Sequence, residues 1–163
     1  MALSTLFRLT LQSPERTAEL AARLAALLAP GDTVLLEGPL GAGKTHLARS
    51  LIRALQGPGS HEDIPSPTFT LVQTYDSPVG EIWHADLYRL TDPDEIFELG
   101  LEGAMETAIC LVEWPDRMGD DTPRSALWLT LSHGGEHRRD LVVRGDANWA
   151  ARLTGLANAE SSA

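Results

Sequence analysis

Positive charge is scarce in this chain of 163 residues, and almost all of it is arginine. Lys44 is the single lysine beside twelve arginines, whereas 23 aspartates and glutamates bring the net charge to −10. Proteins that hold nucleic acid or anionic membranes by electrostatics alone need a basic surface. The charge balance therefore disfavours direct binding of either partner, and it singles out the position of Lys44.

Cysteine is also scarce, and long apolar runs are missing. Cys110 is the only cysteine, so no internal disulfide can form, which fits a reducing compartment. Apolar runs such as AICLV (108–112) are too short to cross a bilayer. The first ten residues lack the basic and apolar segments of a secretion signal. We expect a cytoplasmic protein that does not associate with membranes.

The hydrophobic pattern alternates between strands and helices along one expected domain, residues 1–163, whose last few residues fray. Strands are predicted at 6–11, 33–38, 68–75, 81–88, 108–114, 126–132 and 139–145. Helices are predicted from the Ser13 N-cap to Pro30-Gly31, at 45–55, at 92–105 as one helix or two, and at 147–159. This order predicts an α/β fold with a mostly parallel central sheet and added antiparallel strands.

A glycine-rich loop joins the second predicted strand to the second predicted helix. Gly38, Gly43, Lys44 and Thr45 match the P-loop pattern G-x-x-x-x-G-K-[ST] in the strand–loop–helix context that the pattern requires. Glycines let backbone amides converge on a phosphate, and the helix N-terminus adds its positive dipole. We therefore expect a P-loop NTPase-like three-layer sandwich that binds a nucleoside triphosphate.

The P-loop explains the single lysine. An ammonium is a compact charge that fits against the β- and γ-phosphates, whereas a guanidinium is a wide planar fork. Thr45 would offer its hydroxyl to Mg²⁺, which bridges the same phosphates. The motif alone does not separate a kinase, a motor, a switch or an accessory ATPase.

Two carboxylates are candidates for the metal site. Asp86 and Glu113 lie at the ends of predicted strands, and ligands of open α/β sheets bind at the carboxyl ends of strands. Mg²⁺ takes oxygen ligands and commonly only one or two carboxylates. Solvated loop residues remain the alternative for both positions.

The segment PSPTFTLV (65–72) carries Ser66 and Thr68 among prolines, ahead of a predicted strand. It is either an ordinary turn or a switch loop whose hydroxyls sense the γ-phosphate.

Five motifs occur together in the order LEGPLGAGKTHLARSL, SPTFTLVQTY, HADLYRL, ELGLE and LVEWPDR. At these spacings the chain resembles, over about residues 6–145, the bacterial TsaE family, also called YjeE. Its members are ATPases of tRNA threonylcarbamoyladenosine (t6A) synthesis. The resemblance implies that ATP and Mg²⁺ are the cofactors.

The resemblance also implies roles for individual residues. Lys44, Asp86 and Glu113 would be catalytic, and Thr45, Asp86 and Glu113 would serve Mg²⁺ directly or through water. The nucleotide would be bound by Gly38, Pro39, Leu40, Gly41, Ala42, Gly43, Lys44, Thr45, His46, Ser66, Thr68 and Trp114. His84 and Arg89 match the H-x-D-x-Y-R pattern without an assigned role. His46 replaces a threonine that many relatives carry, and we expect a modest effect on nucleotide affinity.

The implied activity is weak ATP hydrolysis within a complex with TsaB and TsaD. The chain would contact tRNA only through that complex. It would support threonylcarbamoylation of adenosine 37 in tRNAs that read ANN codons. Two alternatives stay open. One is a small-molecule P-loop kinase, although residues 120–140 do not resemble an arginine-rich lid. The other is a nucleotide-gated binding module with negligible hydrolysis.

Overall fold

A computed structural model describes residues 3–59, 63–65, 67, 71–92 and 94–161. The strands are β1 (Ser4–Leu11), β2 (Thr33–Glu37), β3 (Val72–Tyr75), β4 (Ile82–Asp86), β5 (Ile109–Glu113), β6 (Leu127–His133) and β7 (Arg139–Gly145). The helices are α1 (Pro14–Ala25), α2 (Lys44–Gln56), α3 (Asp94–Leu99), α4 (Leu101–Thr107), α5 (Ala147–Arg152) and α6 (Thr154–Ser161). A 3-10 helix, Pro115–Asp121, follows β5.

The seven strands form one sheet in the order β1-β7-β6-β2-β5-β4-β3. The four central strands β6, β2, β5 and β4 run parallel, whereas β7, β1 and β3 pair antiparallel at the two sides. The predicted α/β class with a mostly parallel centre is confirmed. β6 has two roles, since it pairs antiparallel with β7 and also extends the parallel core beside β2.

Helices cover both faces of the central strands. Val34 and Leu36 of β2 pack with α1, α2 and α5, in a cluster that includes Leu24, Leu51 and Trp149. Leu35 points to the opposite face and packs with α3, α4 and the 3-10 helix, in a cluster that includes Ile96, Leu101 and Met118. Successive residues of a strand face opposite sides, so β2, buried except at its last residue, separates the two cores. The predicted three-layer arrangement is present at the centre of the sheet.

Helix α1 begins where the sequence predicts and ends earlier. Ser13 caps it by accepting a hydrogen bond from the Arg16 amide at 3.2 Å, and Pro14 occupies the first turn. The helix ends at Ala25 and does not continue to Pro30. Leu27 O instead accepts a bond from Arg152, and Asp32 accepts one from the Ala29 amide. A distant side chain, Arg152, and a local one, Asp32, therefore satisfy backbone groups that a longer helix would use.

The segment 92–105, predicted as one helix or two, forms two. Gly100 lies between α3 and α4 with a φ of 79°, a left-handed conformation that interrupts a helix. Of the predicted strand 68–75, residues 68–70 lie outside the described part of the chain. In the described ranges no helix is both long and apolar enough to span a membrane.

The C-terminal helices are attached to the sheet by Arg152. Its guanidinium donates to both carboxylate oxygens of Asp32, at 2.9 and 2.6 Å, and to Leu27 O at 2.6 Å. It also lies 4.1 Å from the ring centroid of Trp149. The hydrogen bonds to Asp32 raise the pKa of Arg152. This geometry holds α5 against the start of β2.

We expect the Arg152→Ala variant to lose about 2 kcal/mol of unfolding free energy, because charge-assisted hydrogen bonds are lost and Asp32 keeps a partly buried charge. Arg152→Lys should lose less, since it keeps the charge without the two-point contact. Urea denaturation measures both. The matched control is Arg138→Ala, whose ion pair with Asp140 is 3.9 Å long and exposed; it should change stability by less than about 0.5 kcal/mol. Equal midpoints for Arg152→Ala and Arg138→Ala would contradict the assignment.

Candidate functional site

The glycine-rich loop lies between β2 and α2, as predicted. It contains Gly38, Pro39, Leu40, Gly41, Ala42 and Gly43, and α2 begins at Lys44 and Thr45. Gly38, Gly41 and Gly43 all have positive φ, at 145°, 78° and 102°. The loop can therefore turn its amides inward at the N-terminus of a thirteen-residue helix, which is the backbone arrangement that binds phosphate.

A cleft of about 360 Å³ opens beside this loop. Its lining combines the loop, the start of α2, and residues at and just after the carboxyl ends of β4 and β5. The lining residues are Leu40, Gly41, Ala42, Gly43, Lys44, Thr45, His46, Asp86, Tyr88, Arg89, Glu113 and Trp114. The cleft thus contains most of the predicted site residues within the described part of the chain. The carbonyl oxygens of Gly38 and Pro39 accept hydrogen bonds from Lys44, which lines the cleft.

Lys44 is 5% exposed, and its ammonium is enclosed by the loop and an aromatic ring. Nζ donates to Gly38 O and to Pro39 O, the latter at 3.1 Å. Nζ also lies 3.8 Å from the ring centroid of Trp114. Burial lowers the pKa of Lys44, whereas the nearby carboxylates, Glu113 first, oppose that shift. The result is a desolvated cation beside the glycine-rich loop.

Glu113 connects the loop helix to the neighbouring strand. Its carboxylate is 2% exposed, and its Oε1 accepts a hydrogen bond from the Thr45 hydroxyl at 2.8 Å. The pairing of β2 with β5 brings these residues together although they are 68 positions apart. A threonine hydroxyl whose proton is donated to a carboxylate keeps its lone pairs free for a cation.

Asp86 lies opposite Glu113 in the parallel pairing of β4 with β5. It is 5% exposed, and its Oδ1 accepts a hydrogen bond from the Tyr88 amide at 3.0 Å. Two buried carboxylates and the Thr45 hydroxyl thus line the same cleft as the glycine-rich loop. Within the described residues no three or more His, Cys, Asp or Glu side chains form a metal-binding cluster. A site with few protein ligands, all of them oxygens, suits Mg²⁺, because this ion keeps several waters and binds phosphate oxygens.

Trp114 follows Glu113 in a left-handed conformation, with φ 59° and ψ 54°. For a non-glycine residue this costs about 1 kcal/mol or more, and such strain concentrates at functional sites. The conformation places the indole over Lys44, and the ring packs against Tyr88 with centroids 4.9 Å apart. An aromatic wall therefore borders the lysine end of the cleft.

His46, Ser66 and Thr68 are the remaining residues predicted to bind the nucleotide. His46 is exposed, and its Nε2 lies 3.1 Å from Pro14 O, which connects α2 to the start of α1. Ser66 and Thr68 lie outside the described residues, so the switch-loop interpretation of PSPTFTLV stays a prediction.

The sequence and the fold have counterparts among known proteins. A family model described as "Threonylcarbamoyl adenosine biosynthesis protein TsaE" matches residues 11–141. The chain belongs to the TsaE family. The resemblance inferred from the five motifs is confirmed, and the TsaE match covers both sides of the cleft, from β2 to β6.

Individual TsaE relatives agree with this assignment. The tRNA threonylcarbamoyladenosine biosynthesis protein TsaE of Rickettsia conorii is 49% identical over 107 residues, which are 66% of this chain and 60% of that protein. The protein of the same name from Bacillus subtilis is 34% identical over 137 residues, 83% of this chain and 84% of that one. The crystal structure of Bacillus subtilis YdiB aligns with a TM-score of 0.75 and 26% identity over 99% of both chains.

Sequence reasoning left one buried residue of this TsaE-family site without a role. His84 is 0% exposed, and its Nε2 lies 2.7 Å from Glu113 Oε2. The signal was present in the H-x-D spacing, because residues two apart on a strand share a face. The partner could not be read from the sequence, since Glu113 lies 29 positions away on another strand.

Proposed function

We propose that this TsaE-family chain binds ATP with Mg²⁺ in the cleft and hydrolyses it slowly, as an accessory ATPase of t6A synthesis. The observation that carries the proposal is the 2.8 Å hydrogen bond from Thr45 to Glu113. It joins a phosphate loop to a buried carboxylate on the adjacent parallel strand. The family name supplies the pathway: biosynthesis of threonylcarbamoyladenosine.

Each residue would act through its position. The amides of the loop and the N-terminus of α2 would hold the phosphates, and Lys44 would place its charge on the β- and γ-phosphates. Thr45, Asp86 and Glu113 would hold Mg²⁺ directly or through water. When bound, the cation would neutralise the charge that develops on the phosphate oxygens. Trp114 would exclude water from the lysine end of the site.

The lining of the cleft supports the proposal that hydrolysis is slow. Among the described lining residues there is no glutamine of the kind that orients the attacking water in other P-loop NTPases. A partner protein would complete the site. We propose TsaB and TsaD as that partner. We also propose that the chain contacts tRNA only through the complex, because a chain with a net charge of −10 has little electrostatic attraction for RNA.

The test is phosphate release from ATP by the pure chain, first alone and then with the purified TsaB–TsaD heterodimer. We expect the heterodimer to stimulate release, and we expect Glu113→Ala to lower the stimulated rate about 100-fold or more, since one electrostatic contact can carry that much of a rate. The matched control is Glu102→Ala, which removes an exposed carboxylate from α4 and should leave the rate unchanged.

Two other outcomes favour the alternatives. If the chain binds nucleotide without stimulation, and labelled phosphate appears on a small acceptor, the protein is a P-loop kinase. If nucleotide binds tightly and controls affinity for the heterodimer without turnover, the protein is a nucleotide-gated binding module.

A further inference from the structure

His84 is a fully buried polar side chain beside Glu113, which lines the cleft. Its ring is 0% exposed, and the Nε2–Glu113 contact of 2.7 Å is its hydrogen bond. Nδ1 has no hydrogen-bond partner among the described residues. The oxygens of an ionised carboxylate only accept hydrogen bonds, so we assign Nε2 as the protonated nitrogen, which donates a hydrogen bond to Glu113 Oε2.

Glu113 consequently has a partner on each oxygen. Oε1 accepts from Thr45 at 2.8 Å and Oε2 accepts from His84 at 2.7 Å. The terminal torsion of a glutamate is otherwise broad and weakly restricted. Two donors on different elements, α2 and β4, fix the plane of this carboxylate. Removing His84 would leave Oε2 buried without its donor and the plane held from one side only.

We propose that His84 is the positioning residue of the metal site, which aims the Glu113 carboxylate at Thr45 and at the cation. This inference rests on the proposed function, because it assigns His84 a role in the same Mg²⁺ site. A histidine that only filled the core would affect stability and leave cation affinity unchanged. Partners that orient metal ligands typically contribute about 10–100-fold to metal affinity.

The experiment measures Mn²⁺ binding by electron paramagnetic resonance, with and without ADP, and ADP binding in EDTA by calorimetry. We expect His84→Asn to weaken Mn²⁺ binding to the ADP complex about tenfold, because its shorter amide reaches the Nδ1 position and not Glu113. His84→Gln, whose amide nitrogen reaches the Nε2 position, should restore most of the affinity. ADP affinity in EDTA should stay within about twofold for both variants.

Two controls separate positioning from packing. Ile82→Val removes one methylene from a fully buried residue two positions earlier on β4, and it should destabilise the fold without changing Mn²⁺ affinity. In a Glu113→Ala background, His84→Asn should cause no further loss, because residues that act through one another are not additive. If His84→Asn does not fold, His84→Leu provides a second variant that lacks the donor.

The outcomes are distinct. Wild-type Mn²⁺ affinity in a folded His84→Asn or His84→Leu variant would overturn the positioning role and leave the proposed function intact. If the wild-type chain binds Mn²⁺ no better with ADP than without it, the proposed metal site fails, and the role of His84 fails with it.

Discussion

The Lys44→Ala variant should bind ATP about 100-fold more weakly than the wild-type chain. A hydrogen bond to a charged group contributes about 1.5–3 kcal/mol, and a lysine that meets two phosphates makes more than one. The ammonium is already desolvated at 5% exposure, so binding removes little further water from it. Isothermal titration calorimetry of ATP with Mg²⁺ measures the change directly.

Lys44→Arg is the sharper comparison, because it keeps the charge and changes only the shape. Gly38 O, Pro39 O and the Trp114 ring enclose the ammonium. A planar guanidinium is too wide for this space, so we expect Lys44→Arg to recover less than about a tenth of the lost affinity. Binding of Lys44→Arg at wild-type strength would show that this position does not require the compact shape of an ammonium.

Gly38→Ala should have the largest effect on stability. A Cβ at this position would lie 2.3 Å from the backbone oxygen of Leu131 on β6, and Gly38 has a φ of 145°. The conformation costs an alanine about 1–3 kcal/mol, and relief of the clash requires β6 or the loop to move, at about 1–3 kcal/mol. We expect a loss of about 4 kcal/mol in urea denaturation without nucleotide.

Gly135→Ala is the matched control for this prediction. Gly135 has a similar φ of 152°, but its Cβ would meet only the Arg138 Cβ at an ordinary 3.7 Å. The control should lose only the conformational part, about 2 kcal/mol. An insoluble Gly38→Ala variant beside a soluble Gly135→Ala variant supports the same conclusion. Equal unfolding midpoints would show that β6 does not approach the loop this closely in solution.

The family, the α/β class and the order of the elements could be predicted from the sequence because their signals are local. The P-loop pattern, the Ser13 cap and the apolar runs of β2 and β5 each depend on neighbouring residues. The end of α1 could not, because Arg152, 125 positions away, binds Leu27 O in the segment after the helix. The predicted ligand roles of Lys44, Thr45, Asp86 and Glu113 stay predictions, although these side chains line one cleft.

The sequence by itself predicted four of the polar groups that line the cleft: the Lys44 ammonium, the Thr45 hydroxyl and the carboxylates of Asp86 and Glu113. Only the tertiary structure decided how they are held. The parallel pairing of β4 and β5 sets Asp86 opposite Glu113, and His84 and Thr45 each bind one oxygen of Glu113. These contacts join residues 29 and 68 positions apart. They depend on strand order and burial, which no local pattern in the sequence records.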